Sequence, residues 1–317
     1  MTYIKNIFKL TKKEIFYQKY SKNIFFVTML LIFFAGTHLF SLYMNVLHRY
    51  NMYTQNELSH IEQGLDILEH LSIPHVIHDG LGTGITIENT LHFDFVQLSI
   101  ALQNISPRNI ISGFLEYIIF VICAIIFGIY ASYIGTFDYK SKTHKFFSVS
   151  NSQWEIAISK ILSLIFVMVL TILISILFVF ASSFLLREII IERYNLERFI
   201  INMLNYDNSL FIQIIFSFSI IIFYMVICFF ISFVTKNMIF STIFIIFFVA
   251  VIPFLGAYDP RNVIAYFSHH IFNFESRFVM NNAIPIDVTK GIMSILATVF
   301  LTILVSNIII KNRNNYI

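Results

Sequence analysis

Charged side chains are scarce in this chain of 317 residues, of which 12% are charged and 57% are hydrophobic. The densest polar cluster is the segment 135–161, GTFDYKSKTHKFFSVSNSQWEIAISKI, which lies between two long apolar runs. Its mixture of aromatic and basic residues suits a short helix that binds a groove in a soluble partner. The alternative is a loop held to anionic lipid by its lysines. Either way, the chemistry that this segment suggests is binding.

Sequence signatures of catalysis are missing. The chain contains no HExxH, no GxSxG and no G-x-x-x-x-G-K-[ST], so we expect no enzymatic activity and no ATP hydrolysis by this chain itself. The GLGTG at 80–84 has no following Lys-Ser/Thr and is interpreted as a flexible turn. Cys123 and Cys228 fall inside apolar runs and are interpreted as small packing residues.

Two ionisable residues, His38 and Glu116, lie within apolar runs. An ionisable group inside a membrane span suggests a functional role, because burying such a group without a partner is costly. Both residues are predicted to lie near the outer end of their runs, and two interpretations stay open: structural anchoring, or a role in a substrate path. No run carries the series of charges that a proton or ion relay needs.

Histidines are concentrated between the first two apolar runs. Six of the ten lie there: His48, His60, His70, His75, His78 and His92. Imidazole is a common metal ligand and a pH sensor. The spacings match no metal-ligand signature, so ordinary surface histidines are the preferred interpretation and no metal is expected.

The elements that position these residues are predicted to be transmembrane helices, giving an all-α, polytopic membrane protein. A bilayer core of about 30 Å needs about 20 apolar residues of helix. Six runs qualify, at 24–43, 111–133, 161–182, 210–235, 238–257 and 291–310. The first run lacks a small-residue cleavage site, so it is predicted to be a retained span rather than a signal peptide.

The distribution of positive charge predicts the orientation. Thirteen of the 21 basic residues lie before the first run, between the second and third, between the fourth and fifth, or after the last. Positive charge favours the cytoplasmic side, so both termini are predicted to be cytoplasmic. The isoleucine, lysine and asparagine bias suggests an AT-rich bacterial genome, and we expect the protein in the bacterial plasma membrane.

Two segments outside the spans are predicted to be helical. Residues 1–22 place apolar residues at helical spacing among lysines, as in an amphipathic helix on the inner membrane surface, with a solvated basic tail as the alternative. Residues 44–109 form an extracellular insertion, predicted to be a helical cap with one helix near 58–68 and another at 91–105. Ser106-Pro107 resembles the start of a helix.

The remaining domain assignments follow from the spans. Residues 23–317 form the six-helix transmembrane domain, and 135–160 form a cytoplasmic coupling loop within it. The last outer loop, 258–290, holds two half-apolar stretches that suit helices dipping into the outer leaflet. Pro253 is predicted to bend or end the fifth span.

The coupling loop resembles that of ABC-2-type transporter permeases. In that family the loop often carries an acidic residue, Gly-Thr, a Leu pair, Pro, Ser-Arg and a Lys that opens the third span. The matching positions here are Asp138, Thr143, Phe146, Phe147, Ser152 and Lys160. Lys142 replaces the family's Gly, Ser150 its Pro and Gln153 its Arg. The resemblance extends over nearly the whole chain, because it also includes the number of spans, the N-terminal helix and the last outer loop.

The resemblance implies a mechanism and partners. The coupling residues Asp138, Lys142, Thr143, Phe146, Phe147, Ser152 and Lys160 would dock on a separate ABC ATPase subunit. Two copies of that subunit would bind ATP and Mg²⁺, so this chain needs no cofactor of its own. A second permease, identical or related, would complete the pathway. Membrane lipids are the other expected contact, and no nucleic acid is expected.

The leading functional hypothesis is therefore the permease subunit of an ATP-driven exporter. Its predicted cargo is a hydrophobic or amphipathic peptide, toxin or drug, moved for export or for immunity and antimicrobial resistance. A non-transporting membrane sensor or assembly module is the first alternative. An ion-coupled secondary transporter is the second, and the scarcity of charge in the spans speaks against it.

Overall fold

The structure is a computed structural model that describes residues 2–80, 84–141, 152–201, 209–274 and 280–314. Most of these residues are helical. The helices are α1 Thr2–Tyr20, α2 Asn23–Glu62, α3 Ile67–Ser72, α4 Thr90–Asn104, α5 Pro107–Ile118, α6 Ala124–Lys140, α7 Gln153–Tyr194, α8 Leu210–Thr235, α9 Met238–Ile246, α10 Pro260–Ile271 and α11 Val288–Asn314. Two strands, β1 Val76–Gly80 and β2 Gly84–Glu88, form an antiparallel pair.

Three shorter helical segments complete the secondary structure of the described residues. A π-helical segment, Ile119–Cys123, joins α5 to α6, so that 107–140 is one continuous helical stretch. A second π-helical segment, Phe247–Val251, follows α9. A single 3₁₀ turn, Glu197–Phe199, follows α7.

Within the part of the chain that the structure describes, five helical stretches are long and apolar enough to cross a membrane, which fits a multi-pass membrane protein. They are Asn23–Glu62, Pro107–Lys140, Gln153–Tyr194, Leu210–Thr235 and Val288–Ile309. The predicted run at 238–257 forms an apolar helix only over Met238–Val251. The helix ends two residues before Pro253, whose ring and missing N–H prevent its continuation. The sixth span therefore remains a prediction.

The chain divides into two compact units. The first unit comprises residues 1–32, 115–175 and 208–317. Its centre is the packing of α6 against α8, and two glycines on α6 allow close approach. A Cβ at Gly128 would lie 2.9 Å from Ile245 Cγ1, and one at Gly135 would collide with Ser232 Oγ. Small residues at such contacts are how helices pack without a hydrophobic driving force between them.

A hydroxyl network supports the same packing. Ser132 Oγ on α6 donates to Ser241 Oγ on α9, over 2.7 Å. Ser241 in turn donates to the carbonyl oxygen of Cys228 on α8, over 2.8 Å. All three residues are fully buried. Hydrogen bonds between neighbouring helices add to packing in an apolar surrounding.

The second unit comprises residues 33–114 and 176–207. Tyr53 lies at its core, fully buried, with its ring 4.9 Å from that of Phe199 and 6.3 Å from that of Phe95. Arg198 donates to Glu57 Oε1 over 3.1 Å, and its guanidinium lies 5.4 Å from the Tyr53 ring centre. Aromatic packing and this ion pair thus hold α2, α4 and the 3₁₀ turn together.

The prediction of a purely helical cap at 44–109 is wrong in one part. Residues 76–80 and 84–88 form a β-hairpin, in which Val76 pairs with Glu88 and His78 with Thr86. Both strands are rich in β-branched residues, with Val76-Ile77 in β1 and Ile85-Thr86-Ile87 in β2, which favours strands over a helix. The predicted helix near 58–68 is also interrupted, because Gly64 adopts a left-handed conformation with φ of 70° and ends α2.

Other predicted boundaries agree with the structure. Helix α4 covers the predicted 91–105, and α5 begins at Pro107 as expected. In the last outer loop, the first half-apolar stretch forms α10. The second stretch is not helical over 280–286, its described part. Both ends of the predicted coupling loop 135–160 are helical, because α6 extends to Lys140 and α7 begins at Gln153.

Candidate functional site

A buried cluster of charged residues lies where the predicted coupling loop joins its two helices. Lys160 is 1% exposed. Its Nζ lies 3.0 Å from Asp138 Oδ2 and 3.6 Å from Glu14 Oε1. The same ammonium group donates a hydrogen bond of 3.2 Å to the carbonyl oxygen of Ile134. A buried ammonium group needs such partners, because leaving it without them costs several kcal/mol, about 3–5 in comparable cases.

Gln18 extends this cluster with a set of neutral hydrogen bonds. Its side chain is completely buried. Its Nε2 donates to Ser163 Oγ over 2.9 Å, and its Oε1 accepts from the hydroxyl of Tyr130 over 2.6 Å. Ser163 Oγ donates in turn to the carbonyl oxygen of Lys160 over 2.8 Å. One glutamine side chain therefore joins α1 to both α6 and α7.

The N-terminal helix presents these groups because of their spacing. Glu14 and Gln18 are four residues apart, so they lie on one face of α1. Tyr17 lies between them in sequence, with its ring 4.8 Å from that of Phe137 near the end of α6. Five lysines are exposed on α1: Lys5, Lys9, Lys12, Lys13 and Lys19. The face of α1 that carries Glu14 and Gln18 thus packs against other helices of the first unit, while the lysines stay exposed.

Two carboxylates share one ammonium group in the cluster, and this affects protonation. Burial raises the pKa of Glu14 above its ordinary value of 4.5, while Lys160 lowers it and the negative charge of Asp138 raises it further. Desolvation disfavours the charged carboxylate, and a neighbouring like charge acts in the same direction. The cluster favours a proton on Glu14, which would leave the Asp138–Lys160 pair electrically balanced.

Ser152 lies within the predicted coupling loop, directly before the start of α7. The Glu155 N–H donates to Ser152 Oγ over 3.2 Å, and the Ser152 N–H donates to Glu155 Oε2 over 2.8 Å. This reciprocal pair is a capping box, which satisfies two amides at the first turn of a helix. Ser152, predicted as a coupling residue, therefore has a structural role that fixes where the helix begins.

The structure brings together two of the predicted coupling residues, Asp138 and Lys160. Ser152 lies two turns before Lys160 on the same helix. Lys142, Thr143, Phe146 and Phe147, with Ser150, lie outside the described residues. The end of α6 also contacts the turn after α8. Lys236 Nζ in that turn lies 4.8 Å from the ring centre of Tyr139, near the end of α6.

The predicted path or anchoring residues, His38 and Glu116, are both buried, at 5% and 3% exposure. Glu116 Oε1 accepts a hydrogen bond of 3.3 Å from the backbone N–H of Phe274. That contact ties the segment after α10 to α5 and gives Glu116 an anchoring contact. In the second unit, the ring of His38 lies 6.0 Å from that of Phe114.

Four of the histidines at 44–109 form two pairs. His75 Nδ1 lies 2.9 Å from His92 Nδ1, and the rings of His60 and His70 are 5.2 Å apart. Burial, followed by the nearby His75, lowers the pKa of His92. Among the described residues, no group of three or more His, Cys, Asp and Glu is placed to hold a metal ion.

Sequence reasoning missed Glu14, Gln18 and Tyr130, which complete the charged cluster. Their role depends on contacts across 112 to 146 residues of chain, which no local pattern reveals. Glu155 had a readable signal, because Ser-x-x-Glu before an apolar run is the pattern of a capping box. Glu14 had a weaker signal, because it is the one acidic residue on the lysine-rich helix α1.

The geometry suits a structural junction rather than catalysis. The ammonium group of Lys160 is enclosed by two carboxylates and a carbonyl oxygen, so it is held as a linker between helices. Compared with protein-family models, with curated proteins and with solved structures, the chain shows no significant match. Any function must therefore be argued from its own residues.

Proposed function

We propose that the chain is the membrane-spanning permease subunit of an ATP-driven exporter in a bacterial plasma membrane. It would cross the membrane six times with both termini in the cytoplasm. Two copies of a separate ATPase subunit would bind ATP and Mg²⁺ at its cytoplasmic face, and a second permease, identical or related, would complete the pathway. Its cargo would be a hydrophobic or amphipathic peptide, toxin or drug.

The single observation that carries the proposal is the buried Lys160 cluster. Asp138 lies near the end of α6, before the central part of the predicted coupling loop, and Lys160 lies near the start of α7, after it. Glu14 and Gln18 add α1 to the same cluster. A force applied to this loop by a partner would therefore reach α1, α6 and α7 together, which is what a subunit driven by an external motor requires.

One surface feature supports the membrane orientation. Helix α1 exposes apolar residues beside its lysines, with Ile4 at 61% and Phe8 at 66% exposure. That composition suits a helix lying on an anionic inner leaflet. The run after the Lys236 turn would complete its crossing by combining Met238–Val251 with the non-helical residues that follow.

The proposal is tested by looking for a P-loop ATPase among the neighbouring genes, co-expressing it with the chain and purifying through a tag on the chain. We expect the ATPase to be retained in mild detergent. The double variant Phe146→Ala/Phe147→Ala should lose the ATPase while inserting normally, because it removes the aromatic pair that would enter the partner's groove. Lys140→Ala, at an exposed position on α6, is the matched control and should retain the ATPase.

Failure to recover the ATPase with the unaltered chain would contradict the proposal. Recovery of a neighbouring kinase instead would favour the membrane-sensor alternative. Retention of the ATPase by the double variant would mean that the docking face lies elsewhere.

A further inference from the structure

A cavity of about 700 Å³ lies within the first unit, away from the Lys160 cluster. Its wall is formed by residues of α8, of α10, of both π-helical segments and of the non-helical stretch after the second one. Phe120 and Val121 come from the π-helical segment Ile119–Cys123, and Val249 and Val251 come from Phe247–Val251. A π-helical turn is less stable than an α-helical turn and occurs frequently at functional sites. Both π-helical segments therefore face one space.

The cavity lining is apolar apart from a few polar groups. Its volume falls in the range of about 300–1,000 Å³ that small-molecule sites occupy. Tyr224 on α8 lines it and is 4% exposed. The Tyr224 hydroxyl forms no hydrogen bond with any residue that the structure describes. A hydroxyl at an apolar wall that has no protein partner can donate to a ligand with an acceptor atom.

Arg261, the charged residue in the wall, is already neutralised. Its Nε donates to Asp259 Oδ1 over 3.1 Å, and Nη1 donates to the carbonyl oxygens of Phe248, over 2.8 Å, and of Ile252. Its Nη2 donates to the carbonyl oxygen of Pro253, over 2.9 Å, and to Asp259 Oδ2. All five N–H groups of the guanidinium are therefore used within the protein. The ion pair leaves no donor for an anionic ligand.

We infer that this cavity binds a single apolar chain that carries a neutral carbonyl group. The apolar wall would enclose the chain, and the Tyr224 hydroxyl would donate to the carbonyl oxygen. That carbonyl could belong to the ester of an acylated lipid or to the amide of an acylated peptide. As an account of cargo the inference rests on the proposed exporter function, whereas binding itself can be measured on this chain alone.

The test uses a monoacylglycerol with a diazirine in its acyl chain, photolysed with the full chain purified in detergent without any ATPase. We expect labelling in the peptides that contain 120–121 and 247–254. Val121→Trp fills the cavity and should reduce labelling at least about tenfold, and Ala250→Trp provides a second filling variant if the first does not fold. Tyr224→Phe should weaken binding about fivefold, the effect of one neutral hydrogen bond. Val305→Trp, at a position 49% exposed on α11, is the control and should label like the unaltered chain.

Competition then identifies the source of the carbonyl. An N-acyl dipeptide amide that displaces the probe at lower concentration than unlabelled monoacylglycerol would identify an acylated peptide, and the reverse order would identify a lipid ester. Stronger displacement by lysophosphatidylglycerol than by both neutral compounds would overturn the inference. Unchanged labelling in the folded filling variant would also overturn it. Because no ATPase is present, a failure here is distinct from a failure to recover the ATPase.

Discussion

The residue that matters most in this account is Lys160, because three helices depend on its ammonium group. Asp138 and Glu14 lie within 4 Å of its Nζ, and Gln18 completes the contact one turn further along α1. Such a cluster stabilises the folded protein only when all of its charged partners are in place. Taking charges out of water is costly, and the mutual attraction offsets this only while every partner is present.

We predict that Lys160→Met lowers the free energy of unfolding by about 3 kcal/mol, because Asp138 is left as a buried carboxylate without its counter-charge. The measurement is the apparent melting temperature of the purified protein by size-exclusion chromatography. Lys140→Met, at an exposed position, should leave the melting temperature unchanged. Asp138→Asn combined with Lys160→Met should recover part of the loss. A single variant as stable as the unaltered protein would contradict a structural role for the cluster.

The protonation of Glu14 predicts a pH dependence. Its pKa is raised in the folded protein, so the folded state holds a proton that the unfolded state has released. The resulting stabilisation is fully present below the ordinary pKa of 4.5 and is lost as the pH rises through the raised value. We expect the melting temperature of the unaltered protein to fall over that range more steeply than that of Glu14→Gln. Equal slopes in the two proteins would refute the assignment.

At the scale of elements, the close packing around α6 depends on two glycines, which have no Cβ. Gly135 leaves no room for a Cβ between α6 and the Ser232 side chain, and Gly128 leaves little beside Ile245. These helices form the part of the first unit that carries Asp138. A wider helix spacing would therefore displace the Asp138 carboxylate relative to Lys160.

We predict that Gly135→Ala destabilises the protein by about 1–3 kcal/mol, because the added methyl group meets Ser232 Oγ and the carbonyl oxygen of Phe229. Gly36→Ala is the matched control, since a Cβ there meets nothing within 4 Å. The control should be neutral or slightly stabilising, as alanine favours a helix over glycine. Thermal unfolding of the two variants side by side measures the difference. Equal effects at both positions would show that the close contact is unimportant.

Features that depend on local sequence patterns could be predicted from the sequence, whereas contacts between residues distant in the chain could not. Hydrophobic runs and Pro107 located most helices, because those signals are local. The hairpin at 76–88 was missed because strong helical patterns on both sides suggested a helical cap. The pairing of Glu14 with Lys160 was missed because periodicity identifies a helix face but not what packs against that face.

At the scale of the whole molecule, the proposal requires that the helix Met238–Val251 belong to a complete crossing. Lys236, in the turn before it, would then be cytoplasmic, and Tyr258, after it, would be outside. Five crossings without this one would place the two residues on the same side. The count of spans therefore depends on this short helix.

We predict that a cysteine at Lys236 reacts with a membrane-impermeant maleimide only after the cells are permeabilised, whereas one at Tyr258 reacts in intact cells. Both positions are exposed, so the reagent can reach them. Leu68→Cys, 79% exposed in the outer insertion, is the external reference. The native Cys123 and Cys228 are fully buried and should stay unlabelled. Reaction of Lys236→Cys and Tyr258→Cys under the same condition would rule out six spans.

The claim at the centre of this account is that the chain works as a permease driven by a separate ATPase. Native mass spectrometry of the chain purified with its neighbouring ATPase tests it most directly. We predict a complex of two permeases, two copies of this 37.0 kDa chain or one copy with a related permease, together with two ATPase subunits. The ATPase should be lost when Phe146 and Phe147 are replaced by alanine. A spectrum containing only the permease, under conditions where the ATPase is expressed and soluble, would contradict the account.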